Sequence, residues 1–278
     1  MFIIGCHLSV SKGYLAMGKE ATAIGANTFQ FFPRNPRGGA SKPLDADDVE
    51  GLRAWMEAHH FGPILCHGAY TMNGAAAKEE TRDFAFRAIR EDLAKAGRLP
   101  RCLYNFHPGA HVKQGAEAVI PRIADMVNQA MDQDPIPQYV LLETMAGKGT
   151  EVGRTFEELA AIIDRVERKD RIGVCLDTCH VYDAGYDIAG DLDGVLRAFD
   201  AIIGLDRLHA VHLNDDKNPL GSHKDRHEKI GQGTLGTEAL ARVINHPALR
   251  DLPFYLETPN ELPGYAAEIA LLKSLRKE

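Results

Sequence analysis

The segment VCLDTCHVYDAGYD, residues 174–187, places three common metal-ligand types within four positions: Asp177, Cys179 and His180. Each of the three could equally be a buried, hydrogen-bonded residue of the core. Metal binding is favoured only if further ligand types converge on the same place in the fold. The choice between the two interpretations therefore depends on the rest of the chain.

Imidazole and carboxylate side chains recur at, or shortly after, the ends of short apolar runs. With Asp177 and His180 they make a set of five histidines and four carboxylates: His67, His107, Glu143, Asp177, His180, His212, Asp225, His227 and Glu257. Four carboxylates brought together would repel one another unless cations lay between them. Imidazoles and carboxylates without thiolates suit zinc or manganese in a catalytic site. The pattern predicts a metal centre in which Cys179 only packs.

Eight short apolar runs must position these side chains. They begin at Phe2, Asn27, Pro63, Cys102, Tyr139, Ile172, Leu208 and Phe254. Runs of about five or six residues are typical of buried strands. The starts are roughly 25 to 45 residues apart, which leaves room for a crossover helix after each strand.

Two of the intervening segments have apolar residues at helical spacing. One is lined by Phe156, Leu159, Ile163 and Val166. It begins with a capping-box pattern of Thr155 and Glu158. The other is lined by Leu192, Val195, Leu196, Phe199 and Ile203, and the glycine that follows, Gly204, is placed to end it.

Eight strand–helix units in this length predict an α/β fold, a (β/α)₈ TIM barrel that forms a single domain over residues 1–278. A doubly wound open sheet is the alternative. In a barrel the carboxyl ends of all strands meet at one mouth, where functional residues lie. The barrel therefore explains why the polar residues follow the apolar runs.

Bulk composition agrees with a cytoplasmic protein. Of the 278 residues, 45% are apolar, and no apolar stretch approaches the length of a membrane helix. No early segment resembles a secretory signal, and five cysteines without a CxxC pair indicate reduced thiols. The net charge of −7 argues against a polyanionic partner only until bound divalent metals are counted, since three ions would offset most of it.

Several segments resemble those of a known family. NFHPGAH, LETMAGKGTE, GVCLDTCH, VHLNDDKN, KDRHEKIGQG and YLETP, together with GCHLSVSKGY near the start, are similar to segments of endonuclease IV, the apurinic/apyrimidinic-site DNA repair nucleases. The resemblance implies a (β/α)₈ barrel with three Zn²⁺ ions, with Mn²⁺ possible at one or more sites. It also implies hydrolysis of duplex DNA 5′ to abasic sites, which leaves a 3′-hydroxyl and a 5′-deoxyribose phosphate. Nothing in the sequence requires more than a monomer.

The resemblance also implies roles for individual residues. The first ion would take His67, His107 and Glu143; the second would share Glu143 and add Asp177, His212 and Glu257; the third would take His180, Asp225 and His227. Glu143 and Glu257 are expected to be catalytic, the first by bridging two ions and the second by orienting the nucleophile. Arg37 and Tyr70 are expected to enter the DNA duplex, with Thr71 where relatives often have a large apolar residue.

Three residues near the set are candidates for holding the outer nitrogens of the histidines: Asn105, Asn214 and Gln232. A competing interpretation is a sugar isomerase or epimerase with the same barrel, because Glu143, Asp177, His212 and Glu257 alone would form a single-metal site. A DNA-binding module without catalysis is disfavoured, since no basic recognition helix is present. About one tightly bound metal would favour the isomerase, and about three would favour the nuclease.

Overall fold

The computed structural model describes residues 1–37, 39, 41 and 43–277. Eight parallel strands form one sheet: β1 Ile4–Cys6, β2 Gln30–Phe31, β3 Ile64–His67, β4 Cys102–Phe106, β5 Val140–Glu143, β6 Ile172–Asp177, β7 Leu208–His212 and β10 Phe254–Leu256. Two further strands, β8 Asp215–Asp216 and β9 His227–Glu228, pair antiparallel outside that sheet.

The described α-helices follow the strands: α1 Tyr14–Ala23, α2 Ala46–Ala58, α3 Glu79–Ala96, α4 Ala116–Met131, α5 Phe156–Ile163, α6 Thr178–Ala184, α7 Leu192–Ile202, α8 Gly236–Asn245 and α9 Leu262–Leu275. Short 3₁₀ turns cover Val10–Lys12 and Leu205–Arg207. Within the described ranges, no helix combines the length and apolar character that a bilayer crossing requires.

The sheet closes on itself. Its strand order runs β1-β10-β7-β6-β5-β4-β3-β2. The two end strands meet through a parallel bridge between His7 and Gln30, where the amide of Leu8 donates to the Gln30 carbonyl at 2.8 Å. The predicted (β/α)₈ barrel is therefore confirmed, and the open doubly wound sheet is wrong.

The two helices predicted from apolar spacing are present as α5 and α7. The Thr155 hydroxyl accepts the amide of Glu158 at 3.3 Å, as a capping box requires. The Glu158 carboxylate, however, accepts the amide of Gly153 at 2.7 Å, so it fastens the preceding loop instead of the cap residue. Gly204, with φ 96°, follows α7 as predicted.

The barrel interior has an apolar layer beneath a polar one. Six inward side chains from six strands form a separate apolar cluster: Leu65, Leu103, Leu141, Cys175, Ala210 and Tyr255. Side chains alternate between the two faces of a strand, so the next inward residue is two positions further along. Those residues are His67, Asn105, Glu143, Asp177, His212 and Glu257. On each of these six strands, an inward apolar residue is followed two positions later by an inward polar residue. The apolar residues form one layer inside the barrel, and the polar residues form the site next to it, toward the carboxyl ends of the strands.

The main core lies between the outer faces of the strands and the helices. All five cysteines are buried and free. Cys6, Cys66, Cys102 and Cys175 lie on barrel strands, and Cys179 lies in α6. They fill apolar positions, as the sequence predicted.

Barrel closure requires a glycine at position 5. A Cβ on Gly5 would lie 2.0 Å from the carbonyl oxygen of Thr28, and backbone cannot move aside as a side chain can. We expect Gly5→Ala to lower the free energy of unfolding by about 3 kcal/mol or more, measured by urea denaturation. Gly51→Ala is the control, because a Cβ there meets only the end of the Leu15 side chain at 3.0 Å. Equal stability of the two variants would contradict this account of closure.

Candidate metal centre

The structure brings all nine predicted residues together at the carboxyl end of the barrel. Their potential ligand atoms form groups in which every atom lies within 4.8 Å of the others. Three of these groups are His67–His107–Glu143, Glu143–Asp177–His212–Glu257 and His180–Asp225–His227. These groups coincide with the three ligand sets that the family resemblance implies. That they bind ions stays a prediction.

Glu143 lies at the centre of the cluster. It ends β5 and is fully buried. Its Oε2 lies 3.0 Å from His67 Nε2 and 3.3 Å from His107 Nε2, while its Oε1 lies 3.0 Å from His212 Nδ1. One oxygen therefore faces the first group and the other faces the second, as a bridging carboxylate requires.

Asp177 has two roles because β6 runs directly into α6. Its Oδ1 accepts the amide of His180 at 2.9 Å and caps that helix. Its Oδ2 faces the site, 3.7 Å from His212 Nδ1 and 3.6 Å from His227 Nε2. The cap places His180, which follows the strand end by three residues, in the first turn of a helix.

The third group depends on an irregular connection between β8 and β9. Asp225 has φ 52°, a left-handed conformation. Asp183 of α6 holds it there, because its Oδ2 accepts the amide of Asp225 at 2.6 Å and its Oδ1 accepts the Ser222 hydroxyl. Asp225 Oδ1 then lies 3.2 Å from His180 Nε2. His227 belongs to β9 and not to a loop.

Metal-binding histidines usually donate the nitrogen away from the metal to an oxygen acceptor. The carbonyl oxygens of Gly68, Thr144 and Glu257 lie 2.7, 2.9 and 3.3 Å from one ring nitrogen of His67, His180 and His227, respectively. For His212 the acceptor is the Gln30 side chain, at 2.6 Å. Each ring is thereby oriented with its other nitrogen toward carboxylates.

The three residues predicted to bind the outer histidine nitrogens do not do so in the structure. Asn105 donates to Glu143 Oε2 and Asn214 donates to Asp177 Oδ2, each at 2.7 Å. They orient carboxylates, so the prediction that they hold histidines is wrong. Gln232 is exposed in the turn after β9, which places it outside this network.

Two features of the cluster fit divalent cations. His227 Nε2 is buried without a hydrogen-bond partner among the described residues, and it points toward Asp177 and Asp225 at 3.6 and 3.9 Å. A buried polar atom without a hydrogen-bond partner is rare in proteins unless a bound ion or water makes the missing contact. The second feature is the convergence of buried carboxylates, which repel one another unless positive charge lies between them.

Electrostatics lead to the same conclusion. Burial alone would raise the pKa of Glu143, yet the facing histidines, His212 foremost, hold that pKa well below its ordinary value. Burial opposes the shift at Glu257 too, but His212 lowers its pKa to about 2. Burial would lower the pKa of His180, but Asp177 raises it well above normal. Protons thus balance the carboxylates in the free protein, and metal ions would take their place.

The Cys179 thiol lies close to these groups. With Asp177 and His227 it forms another set of potential ligand atoms. Burial, reinforced by the Asp177 carboxylate, raises the pKa of its thiol. A thiol that resists deprotonation is a poor ligand, so we retain Cys179 as a packing residue.

Sequence reasoning missed His7 and Gln30, which complete the polar layer on the first two strands. Gln30 Nε2 contacts Glu257 Oε1 at 2.5 Å and His7 Nδ1 at 3.1 Å. The signal that could have found them is the same two-residue step, from Gly5 to His7 and from Thr28 to Gln30. Gly5 and Thr28 are not large apolar residues, so these two runs do not show the spacing of an apolar and then a polar residue that marks the other strands.

Of the residues predicted to contact DNA, Tyr70 lies beside the mouth. Tyr70 is 55% exposed, and its ring centroid lies 5.6 Å from that of His107. Arg37 and Thr71 are exposed. Arg34, three residues before Arg37, is buried and pairs with buried Asp92 of α3 at 2.7 Å. That ion pair fastens the Arg37 loop to α3.

Comparison with known proteins places this chain in a family. Residues 19–275 match the family described as xylose isomerase-like TIM barrel. "Probable endonuclease 4" of Alkaliphilus oremlandii is 57% identical over 278 residues, which cover 100% of this chain and 99% of the relative. The crystal structure of endonuclease IV from Thermus thermophilus superposes with a TM-score of 0.88 at 36% identity, covering 98% of each chain.

A D-tagatose 3-epimerase-like protein also superposes, with a TM-score of 0.69 at 18% identity, covering 98% of this chain and 96% of that one. Similarity at that level shows a shared fold only. Six relatives with 51–57% identity cover 97–100% of this chain, and each carries the name "Probable endonuclease 4". The chain belongs to the endonuclease 4 family.

Proposed function

We propose that this protein is a zinc-dependent endonuclease that hydrolyses the phosphodiester bond 5′ to abasic sites in duplex DNA, leaving a 3′-hydroxyl and a 5′-deoxyribose phosphate, in base excision repair. The observation that carries the proposal is the presence of three adjoining sets of donors at one barrel mouth. Membership of the endonuclease 4 family supports it. We further propose that the protein acts as a monomer in the cytoplasm.

The three donor sets would hold three Zn²⁺ ions, and Mn²⁺ is an alternative occupant. His67, His107 and Glu143 would hold the first, Asp177, His212 and Glu257 with Glu143 the second, and His180, Asp225 and His227 the third. Bound there, divalent ions supply a water of lowered pKa and neutralise charge on the phosphate. The remaining tasks fall to residues of the chain itself.

Glu143 and Glu257 are the proposed catalytic residues. Glu143 is held by Asn105 at 2.7 Å, so its two oxygens keep fixed directions toward the two neighbouring donor sets. Glu257 follows β10, and its carboxylate is partly exposed at the mouth, where substrate arrives. Gln30 binds Oε1 of Glu257, and Oε2 lies 3.3 Å from His212 Nδ1. This second oxygen is the one that we propose orients the attacking water.

The test is a cleavage assay on a duplex that carries one tetrahydrofuran abasic analogue. We expect one cut, immediately 5′ to the analogue, and extension of the new end by a DNA polymerase, which needs a 3′-hydroxyl. The same duplex without the analogue should stay intact, and chelation should stop cleavage until zinc is restored. Failure to cut with about three zinc ions bound would overturn the proposal, and about one bound ion per chain would favour the sugar isomerase.

Arg37 and Tyr70 are proposed to enter the duplex where the base is missing. A bent duplex with an extruded sugar needs side chains to fill the gap, and Tyr70 stands exposed next to the site. Arg37→Ala and Tyr70→Ala should each weaken binding to abasic duplex about tenfold, the magnitude of one lost stacking contact. Thr71→Ala should be nearly silent, because a short polar side chain fills little space.

Affinities should be measured at one fixed salt concentration, because phosphate contacts alone vary with salt. Zinc content of each variant is the control, and it should equal that of the wild type. Wild-type affinity in both the Arg37 and the Tyr70 variants would remove the loops after β2 and β3 from DNA recognition.

A further inference from the structure

Gln30 lies in the polar layer of the barrel and is fully buried. Its side-chain amide contacts three residues at once. Oε1 lies 2.6 Å from His212 Nε2, and Nε2 lies 2.5 Å from Glu257 Oε1 and 3.1 Å from His7 Nδ1. None of these contacts is used by the mechanism above beyond the anchoring of one carboxylate oxygen.

The contacts fix which way the amide points. An amide offers two N–H donors and one oxygen acceptor. In the reversed orientation its oxygen would face the Glu257 carboxylate, and both groups are acceptors. His7 Nδ1, 3.1 Å away, must then accept the second N–H, because an amide nitrogen can only donate. Gln30 Oε1 must therefore face His212 Nε2, which carries the proton.

His212 differs in this respect from the other oriented histidines. His67, His180 and His227 turn one nitrogen toward backbone carbonyls, which no substitution can remove. His212 relies on a side chain. Without the Gln30 oxygen, His212 Nε2 would lose this acceptor, and the ring would lose the contact that directs Nδ1 toward Glu143 Oε1, 3.0 Å away.

We infer that Gln30 is a positioning residue that keeps the proton of His212 on Nε2 and holds one oxygen of Glu257. With both contacts made, His212 Nδ1 and Glu257 Oε2 lie 3.3 Å apart and face the same point. Gln30 thereby orients two ligand side chains of the second donor set, His212 and Glu257, although it is not a ligand itself. The inference rests on the proposed function, because it assumes that this set binds zinc.

Two variants separate the contacts of Gln30. Gln30→Met keeps the length of the side chain and removes both donor and acceptor. Gln30→Glu keeps an acceptor for His212 but cannot donate to Glu257. Gln138→Met is the matched control, because that glutamine is exposed away from the barrel interior.

Two measurements on the full-length protein read out the role without DNA. The first is zinc affinity of the metal-stripped protein, by competition with a chromophoric chelator. We expect Gln30→Met to weaken it about 10- to 100-fold, as loss of an outer partner of a ligating histidine does, and Gln138→Met to leave it unchanged. The second is the slowly exchanging Nε2–H resonance of His212 in the zinc-loaded protein, by ¹H–¹⁵N NMR.

The resonance should vanish in Gln30→Met and persist in Gln30→Glu, which still accepts that proton. Wild-type zinc affinity in Gln30→Met, or loss of the resonance in both variants, would overturn the inference. Should Gln30→Met fail to fold, loss of the resonance in Gln30→Glu alone would overturn the inference. DNA cleavage is not a readout here, so zinc binding as expected without incision of abasic duplex would refute the proposed function alone.

Discussion

Replacement of Glu143 by glutamine is expected to abolish cleavage of abasic duplex. The amide keeps the shape of the carboxylate, so the buried position suffers no cavity, but it loses the charge that faces two donor sets. Glu143 oxygens lie within 3.0–3.4 Å of His67, His107, His180 and His212, more of the predicted ligands than any other carboxylate of the cluster contacts. Loss of an outer partner of a ligand costs about 10- to 100-fold, and loss of a bridging ligand should cost about 10³-fold or more.

The measurement pairs single-turnover cleavage with zinc content per chain. Both should fall in Glu143→Gln, while circular dichroism should report an unchanged fold. Glu117→Gln, an exposed residue in the first turn of α4, is the control and should match the wild type. Cleavage within tenfold of the wild type, with full zinc, would show that Glu143 does not bridge the sites.

His227→Ala is expected to reduce cleavage about 100-fold or more with little change in stability. His227 contributes one donor of the third set, and the loss of that donor should weaken or empty it. Its side chain is partly exposed in the β8–β9 hairpin, so truncation leaves no core cavity. Its Nε2 is buried without a partner among the described residues, and removing such an atom relieves a cost in the metal-free protein.

Melting temperatures of metal-stripped preparations should therefore agree within a few degrees, while cleavage by the zinc-loaded preparations should differ. His59→Ala is the control, because that histidine stacks on Trp55 at the end of α2 and lies outside the donor groups. Unchanged cleavage with normal melting would argue against a third ion. Normal zinc content with lost cleavage would assign His227 to the chemistry itself.

The barrel was predictable because each strand is a short apolar run followed by a helix-length segment. Each of the eight barrel strands lies within one of the predicted runs. The hairpin of β8 and β9 was not predictable, because two-residue strands of Asp, His and Glu have no apolar period. Local chemistry explains it instead, since Asp183 and the left-handed Asp225 shape the connection.

The ligand types were predictable because strand ends in a barrel share one mouth. The orientation of their side chains was not predictable. It depends on backbone carbonyl oxygens, which every residue has and which therefore give no signal in the sequence. The same limit applies to Arg34, a loop cation whose partner is Asp92 of α3. The sequence does not show whether a charged loop residue binds the substrate or a neighbouring helix.

The buried cysteines give this fold an internal probe of its own unfolding. Four of the five thiols sit on β1, β3, β4 and β6, and the fifth sits in α6. A reagent in solution reaches a buried thiol only when the surrounding structure opens. Alkylation followed by mass spectrometry would therefore time the opening of individual strands, and labelling of all four strand thiols at one rate would mean that the barrel opens as a unit.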